Sequence, residues 1–171
     1  MGPCESDYTD EERLQAGIDL ATDIVEDGTV LLGNENNALP LSANDRVTLF
    51  GIVSYSWVGT SSYGSAGSAS TNVSLKEALE GQGFAVNDTV WNYYEDSGVR
   101  YVGTSYDLVE IGWDQVNGAT ASSFSSYNDA AILVFGRVGG EGEDLPTSTE
   151  QYGGSSSEDM AQLSSTELGL I

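Results

Sequence analysis

Apolar residues near the start of the chain recur with the period of an α-helix. Four of them, at intervals of four, three and four residues, share one helical face: Leu14, Ile18, Ala21 and Val25. Just before them, Thr9 and Glu12 form a capping-box pair, which favours the first turn of a helix. Gly28 is suited to end it. The pattern therefore predicts an amphipathic helix over residues 9–28.

Runs of β-forming residues follow and alternate with further helical patterns. Strands are predicted for four segments: 29–32, 46–51, 84–86 and 130–136. Helices are predicted for four others: 75–81, 88–95, 107–116 and a short segment that begins after Ser164. The first and last of these follow capping-box pairs, Ser74/Glu77 and Ser164/Glu167. Alternation of strands and helices is typical of an α/β fold with a mostly parallel sheet. With helices on both faces of the sheet, the expected architecture is a three-layer α/β/α sandwich.

Two long segments rich in Gly and Ser each follow a predicted strand directly. The first spans residues 52–72 and contains Trp57 and Tyr63, and the second spans residues 137–157 and is acidic. Functional loops of parallel sheets follow the carboxyl ends of the strands. We therefore expect both segments at one edge of the sheet, and a functional site there.

The charge balance excludes two classes of partner. The 171 residues include 27 acidic and 5 basic side chains, which gives a net charge of −22. Nucleic acid binding needs a basic surface, and an anionic membrane repels an acidic chain, so we expect neither partner. The longest apolar run, 130–135, is also too short to span a membrane. A strongly acidic surface is equally explained by solubility or salt tolerance.

The rare residue types limit the available chemistry. The chain has no His and one Cys, Cys4, which excludes a Ser-His-Asp triad and a Cys-based metal site. Phosphate-binding and EF-hand motifs are missing, so we expect no cofactor and no metal. Residues 1–8 lack the features of a signal peptide and are expected to be a disordered leader, which favours a cytoplasmic location.

The most informative segment for chemistry is the acidic loop that begins at Arg137. Glu141 stands between glycines, and Glu143 and Asp144 follow it closely. Neighbouring carboxylates raise one another's pKa, which suits a general acid, although a loop carboxylate in so acidic a chain is usually only solvated. Trp57 and Tyr63 are able to stack on a sugar ring, and core packing explains them equally well.

Five landmarks occur in order along the chain. They are Val30-Leu31-Leu32-Gly33-Asn34-Glu35-Asn36-Asn37-Ala38-Leu39-Pro40-Leu41, the strand 47–51, the Gly/Ser loop 63–68 with the helix 73–79, the strand 131–137 with Gly140-Glu141-Gly142-Glu143-Asp144, and the helix 163–171. Together they resemble the C-terminal α/β-sandwich domain of glycoside hydrolase family 3, the β-glucosidase family. The resemblance covers residues 10–171. It departs from the family at Gly33, where Lys is usual, and at Leu145, where Arg is frequent.

The resemblance implies a retaining glycosidase mechanism with two carboxylates. In the family, a nucleophilic Asp lies on a (β/α)₈ barrel domain and an acid/base Glu lies in many members on this domain, at the position of Glu141. Arg137 and Asp144 match the same motif and are expected to orient the loop or contact sugar hydroxyls. The implied partners are a carbohydrate substrate, a β-glucoside or oligosaccharide, and the barrel domain.

Residues 9–171 are therefore expected to be a partial domain, truncated at its C-terminus, that carries the acid/base without the nucleophile. Two alternatives stay open. The first is a non-catalytic module that binds carbohydrate or a partner through the Trp57/Tyr63 loop and the acidic loop. The second is a truncated product without function, for which an unpaired sheet edge predicts poor solubility.

Overall fold

The computed structural model describes residues 9–55, 73–97, 109–137, 146–150 and 153–171. The chain divides into two compact units, residues 1–40 and 41–171. The described helices and strands, in chain order, are α1 (Asp10–Gly28), β1 (Arg46–Phe50), α2 (Ile52–Tyr55), α3 (Leu75–Gly81), β2 (Ala85–Val86), α4 (Asp88–Asp96), α5 (Trp113–Phe124), β3 (Ala130–Leu133) and α6 (Ser165–Leu168). A 3₁₀ turn covers Glu35–Asn37. The predicted leader, residues 1–8, lies outside the described residues.

The first unit contains α1, and the predicted capping box is confirmed. The Thr9 hydroxyl accepts a hydrogen bond from the Glu12 backbone N–H at 3.2 Å, and the Glu12 carboxylate accepts one from the Thr9 N–H at 2.7 Å. All 19 residues of the helix are exposed. The strand predicted at 29–32 is wrong. These residues pair with none of the described strands, and Leu32 is 95% exposed, so neither backbone pairing nor burial favours a strand there.

The second unit contains a parallel sheet, which confirms the α/β class. Its three described strands have the order β2-β1-β3, and β1 runs parallel to both neighbours. Four residue pairs set the register between β1 and β3, from Val47 opposite Ala130 to Phe50 opposite Leu133. Such an order needs crossover connections between successive strands, as parallel sheets do.

The side chains of β1 alternate between two apolar clusters. Val47 and Leu49 are buried with Val86 and pack against residues of α3, including Leu75 and Leu79. Phe50 belongs to the other cluster, which buries seven residues: Phe50, Ile52, Val90, Tyr94, Ile111, Val116 and Met160. The alternation follows from the strand, because successive side chains point to opposite faces.

Most predicted element positions are confirmed, and two differ in extent. Of the helix predicted at 107–116, residues 107 and 108 lie outside the described residues. Helix α5 begins at Trp113, because Gly112 has the extended backbone of an N-cap residue (φ −62°, ψ 146°), and it continues to Phe124. Strand β3 ends at Leu133, three residues before the predicted end, and its residues are half-buried or exposed. The apolar run 130–136 is therefore only partly a strand, although its pairing with β1 is as expected.

Candidate functional site at the carboxyl edge of the sheet

Strands β1 and β3 end side by side, as the sequence predicts. The Val134 N–H donates a hydrogen bond to the Phe50 carbonyl oxygen at 3.0 Å, just past the last ladder pair. Gly51 then turns the chain with φ +90°, and a Cβ at this position would collide with the Val134 carbonyl oxygen. Glycine is therefore required here on two grounds, the left-handed backbone and the close approach.

The exit from β1 is held by two buried side chains from other elements. The Tyr94 hydroxyl oxygen accepts a hydrogen bond from the Gly51 N–H at 3.1 Å. The Glu110 carboxylate accepts one from the Ile52 N–H and one from the Ile111 N–H, both at 2.9 Å. Both oxygens of Glu110 are thus used to fix the backbone where the Gly/Ser-rich segment begins.

Glu110 is 6% exposed, which makes its ionisation unfavourable. Burial raises the pKa of Glu110. The two backbone N–H donors act in the opposite direction, and the nearby Glu167 carboxylate adds to the rise. Burial also raises the pKa of Tyr94, and the charge of Glu110 contributes to that rise. The exit from β1 therefore contains a titratable pair in an environment that disfavours negative charge.

The exit from β3 is held by Arg137, whose guanidinium is largely buried. Two of its nitrogens donate to the two carboxylate oxygens of Glu167, at 2.6 and 2.7 Å, in a bidentate ion pair. The Nε of Arg137 donates to the Met160 carbonyl oxygen at 3.2 Å, and Nη2, one of the two nitrogens that bind Glu167, also donates to the Gln162 carbonyl oxygen at 2.7 Å. Arg137 therefore ties the end of β3 to the chain that leads into α6.

Glu167 is buried and belongs at the same time to the capping box of α6. Its backbone N–H donates to the Ser164 hydroxyl at 3.1 Å, and its carboxylate accepts from the Ser164 N–H at 2.7 Å. Burial alone would raise the pKa of Glu167, but the hydrogen bonds from Arg137 and Ser164 outweigh it and leave the pKa lowered. Glu167 is thus held as a carboxylate.

A third carboxylate, Glu158, organises the segment before α6. It accepts hydrogen bonds from the Thr149 hydroxyl at 2.6 Å, the Ser155 N–H at 3.2 Å and the Ser165 N–H at 3.3 Å. The Thr149 bond is the main reason that the pKa of Glu158 is lowered. This segment also contains an isolated antiparallel bridge between Ser148 and Asp159.

An open cavity of about 250 Å³ lies beside Arg137. Phe135, Gly136 and Arg137 form one wall, and residues 161–163 form the other. A larger open cavity, about 440 Å³, lies between the first turn of α5 and α6, with Trp113 and Asp114 among its lining residues. Both cavities lie in the second unit.

The structure describes one of the three predicted site residues. Arg137 lies at the carboxyl end of β3, whereas Glu141 and Asp144 are outside the described residues, as are Trp57 and Tyr63. The sequence reasoning missed the part played by Glu110 and gave Glu167 only a capping role. One signal for Glu110 was available, since it is a lone acidic residue between the apolar Val109 and Ile111.

Two features are absent from the described ranges, a helix able to span a membrane and a cluster of metal-ligating side chains. Within them, no helix has both the length and the apolar composition needed to cross a membrane. No group of three or more metal-ligating side chains comes together among the same residues. In comparisons with known proteins, no family model, curated protein or solved structure matches the chain.

Proposed function

We propose that this chain supplies the acid/base carboxylate of a retaining β-glycosidase that resembles glycoside hydrolase family 3. The proposed domain is a three-layer α/β/α sandwich that includes residues 9–171. Its proposed partners are a β-glucoside or oligosaccharide substrate and a (β/α)₈ barrel domain that carries the nucleophilic Asp. The chemistry needs only two carboxylates and water, so no cofactor is proposed.

The anchoring of Arg137 is the observation that most supports this proposal. In the sequence, Arg137 stands four residues after the end of β3 and four residues before Glu141. At least five hydrogen bonds hold its guanidinium at the carboxyl edge of the sheet. Ligands of parallel α/β sheets bind beyond this edge, so the Glu141 segment starts where a substrate is expected.

The two apolar clusters support the layered architecture. Residues of α3 pack with Val47 and Leu49, whereas Val116 and Phe124 of α5 pack with Phe50. These β1 side chains point to opposite faces, so helices on both sides of the sheet are the simplest arrangement.

In the proposed reaction Glu141 transfers a proton twice. The barrel Asp attacks the anomeric carbon and forms a glycosyl ester, while the protonated Glu141 gives its proton to the departing glycosidic oxygen. The Glu141 carboxylate then takes a proton from water as the water oxygen attacks the same carbon. The ester bond breaks, the Asp carboxylate is released, and the sugar keeps its anomeric configuration.

Arg137 and Asp144 are proposed to contact sugar hydroxyls or to orient the loop. For Arg137 the hydrogen bonds to Glu167, Met160 and Gln162 favour the orienting part. These bonds and the one to the Gly136 carbonyl oxygen account for all five N–H groups of the guanidinium.

The proposal is tested by assaying phenyl β-glucoside, an aryl glucoside whose leaving group needs protonation, with three samples: the chain alone, a separately expressed family 3 barrel domain, and their mixture. We expect no turnover from either part alone and turnover from the mixture. Glu141→Gln should abolish it, whereas Glu143→Gln, a matched change two residues away, should retain most of it. Glu141-dependent turnover by the chain alone, or none in the mixture, would overturn the proposal.

The binding-module alternative is separated by titrating the chain with cellobiose while following Trp fluorescence. Binding that survives Glu141→Gln and is lost in Trp57→Ala would favour a non-catalytic carbohydrate-binding module over the glycosidase.

A further inference from the structure

The cavity of about 440 Å³ between α5 and α6 has the composition of a small-molecule site. Its volume falls within the range of about 300–1,000 Å³ that is usual for ligand pockets. The first turn of α5 contributes an aromatic ring, a carboxylate and an amide to the lining, from Trp113, Asp114 and Gln115. The helix α6 contributes two residues with hydroxyl groups, Ser165 and Thr166. One apolar surface with a few polar groups around it is the usual make-up of such sites.

Trp113 is a fixed aromatic surface in this lining. Its indole ring is stacked with Phe124 at a centroid distance of 5.9 Å and an interplanar angle of 15°. It also meets the ring of Phe50 edge-on at 6.0 Å, and Phe50 is the buried last residue of β1. Despite these two contacts, 36% of Trp113 remains exposed. Because packing already restricts the rotamers of the ring, a ligand that stacks on it costs little additional conformational entropy.

The polar side chains of the lining have unused hydrogen-bonding capacity. Among the described residues, the side chains of Asp114, Gln115 and Ser165 have no hydrogen-bond partner. The Thr166 hydroxyl donates to the Gly153 carbonyl oxygen at 2.6 Å, so it is still able to accept. A carboxylate only accepts hydrogen bonds, whereas an amide and a hydroxyl do both. The lining therefore suits a ligand whose groups both donate and accept, as hydroxyl groups do.

These features together favour a neutral sugar over other small ligands. A pyranose has a face of C–H groups with partial positive charge, which complements the negative face of an indole, and hydroxyl groups around its edge. An anionic ligand is disfavoured, because the described lining contains the Asp114 carboxylate and no cation. A quaternary ammonium is usually enclosed by a cage of aromatic rings, and Trp113 is the single aromatic residue among the described lining residues.

We propose that this cavity binds a pyranose ring of a neutral carbohydrate, stacked on Trp113, with Asp114 and Gln115 hydrogen-bonded to its hydroxyl groups. Since Trp113 contacts the last residue of β1, the ring lies beside the carboxyl edge of the sheet, where ligands of parallel α/β sheets bind. The proposal does not rest on the glycosidase function, because Glu141 takes no part in it.

The test titrates the full chain with cellobiose, and in parallel with choline, while the Trp indole N–H signals are recorded by two-dimensional proton–nitrogen NMR. The chain has three Trp residues, and the signal of Trp113 is identified by its loss in Trp113→Phe. The site variant is Asp114→Ala with Gln115→Ala, which changes two exposed side chains. The control variant is Asn92→Ala with Glu95→Ala, which removes an amide and a carboxylate from exposed positions on α4. Circular dichroism checks that each variant keeps its helix content.

We expect cellobiose to shift the Trp113 signal with the same Kd in the unaltered chain and in the control variant. The Kd should rise at least about tenfold in the site variant, because hydrogen bonds to the sugar are lost. The signal of Trp91, which packs in the other apolar cluster, should stay unchanged.

A Trp113 signal that cellobiose leaves in place would overturn the proposal, and a shift of the Trp57 signal alone would place the sugar on the Gly/Ser-rich segment. Equal Kd values for the site variant and the unaltered chain would also overturn it. Choline should bind at least about tenfold more weakly than cellobiose, and an equal or stronger response of the Trp113 signal to choline would overturn the choice of a sugar in favour of a cationic ligand.

Discussion

At the residue scale, a few side chains fix the carboxyl edge of the sheet by accepting hydrogen bonds from backbone N–H groups of other segments. Glu110 uses both carboxylate oxygens to accept backbone N–H groups, one of them from Ile52, 58 residues earlier. Because Gly51 has no Cβ, the chain turns after β1 without a collision with the Val134 carbonyl oxygen. Because a buried backbone N–H without a partner is costly, these residues fix where the β1 exit runs.

The first prediction concerns Gly51, for which Gly83 is a matched control. Both glycines have nearly the same left-handed backbone, φ +90° and +92°, but a Cβ at Gly83 meets only Ala43 at 3.9 Å. Gly83→Ala should therefore lower the free energy of unfolding by about 1 kcal/mol, from backbone strain alone. Gly51→Ala should cost clearly more, because the new methyl also collides with Val134. Urea unfolding of both variants checks this, and equal costs would refute the close approach.

The second prediction concerns the pH dependence that Glu110 confers. Its pKa in the folded chain is raised above the ordinary 4.5, so its contribution to stability is fully present at low pH and falls as pH rises from 4.5 through the raised value. The side chain introduced by Glu110→Gln does not titrate. Its amide nitrogen cannot accept the second of the two backbone N–H groups, and leaving that group unpaired lowers the free energy of unfolding by about 1–3 kcal/mol.

The difference in stability between the unaltered chain and Glu110→Gln should therefore be larger at pH 4 than at pH 7. Urea unfolding at a series of pH values measures it. A difference that grows as pH rises would mean that Glu110 is stabilised as a carboxylate, with its pKa lowered and not raised.

At the element scale, the helix starts were predictable because capping is local. The pairs Thr9/Glu12, Ser74/Glu77 and Ser164/Glu167 are three residues apart, and all three form complete capping boxes. The contacts that join elements were not predictable in this way. Arg137 and Glu167 are 30 residues apart, and no local pattern shows that they meet. The strand expected at 29–32 failed for a related reason, since apolar composition alone provides no pairing partner.

The third prediction concerns the ion pair that joins the end of β3 to α6. Arg137 is 18% exposed and Glu167 5%, so removing one partner leaves a poorly solvated charge. Glu167→Gln or Arg137→Met should each lower the free energy of unfolding by up to about 3–5 kcal/mol. The double variant Arg137→Met with Glu167→Gln should lose less than the sum of the two single losses, because neither charge is left alone.

The control is Asp129→Asn, which breaks the more exposed pair between Arg46 and Asp129. Its effect on the free energy of unfolding should be much smaller.

The pKa of Glu167 is lowered below 4.5, so the contribution of Glu167 to stability is present above that pH and is lost as pH falls through the lowered value. Additive losses in the double variant, measured by urea unfolding at pH 7, would refute a coupled pair.

At the scale of the whole molecule, the alternation of strands and helices was sufficient to predict an α/β fold with a parallel sheet. It was also sufficient to place the ends of β1 and β3 at one edge, because neighbouring parallel strands end on the same side. The candidate site was predictable only as a location. Its described polar groups, Glu110, Tyr94 and Glu167, come from three separate segments, and their roles depend on burial, which a sequence pattern alone does not give.

The central claim, that Glu141 is an acid/base catalyst, is tested most directly by the dependence of the rate on the leaving group. The measurement compares kcat/KM of the chain–barrel mixture, with and without Glu141→Ala, for 2,4-dinitrophenyl β-glucoside and for an alkyl β-glucoside. Dinitrophenolate leaves without protonation, so Glu141→Ala should change kcat/KM for the dinitrophenyl glucoside by less than about tenfold. For the alkyl glucoside, kcat/KM should fall about 10²–10⁴-fold. Equal losses for the two substrates would contradict the account.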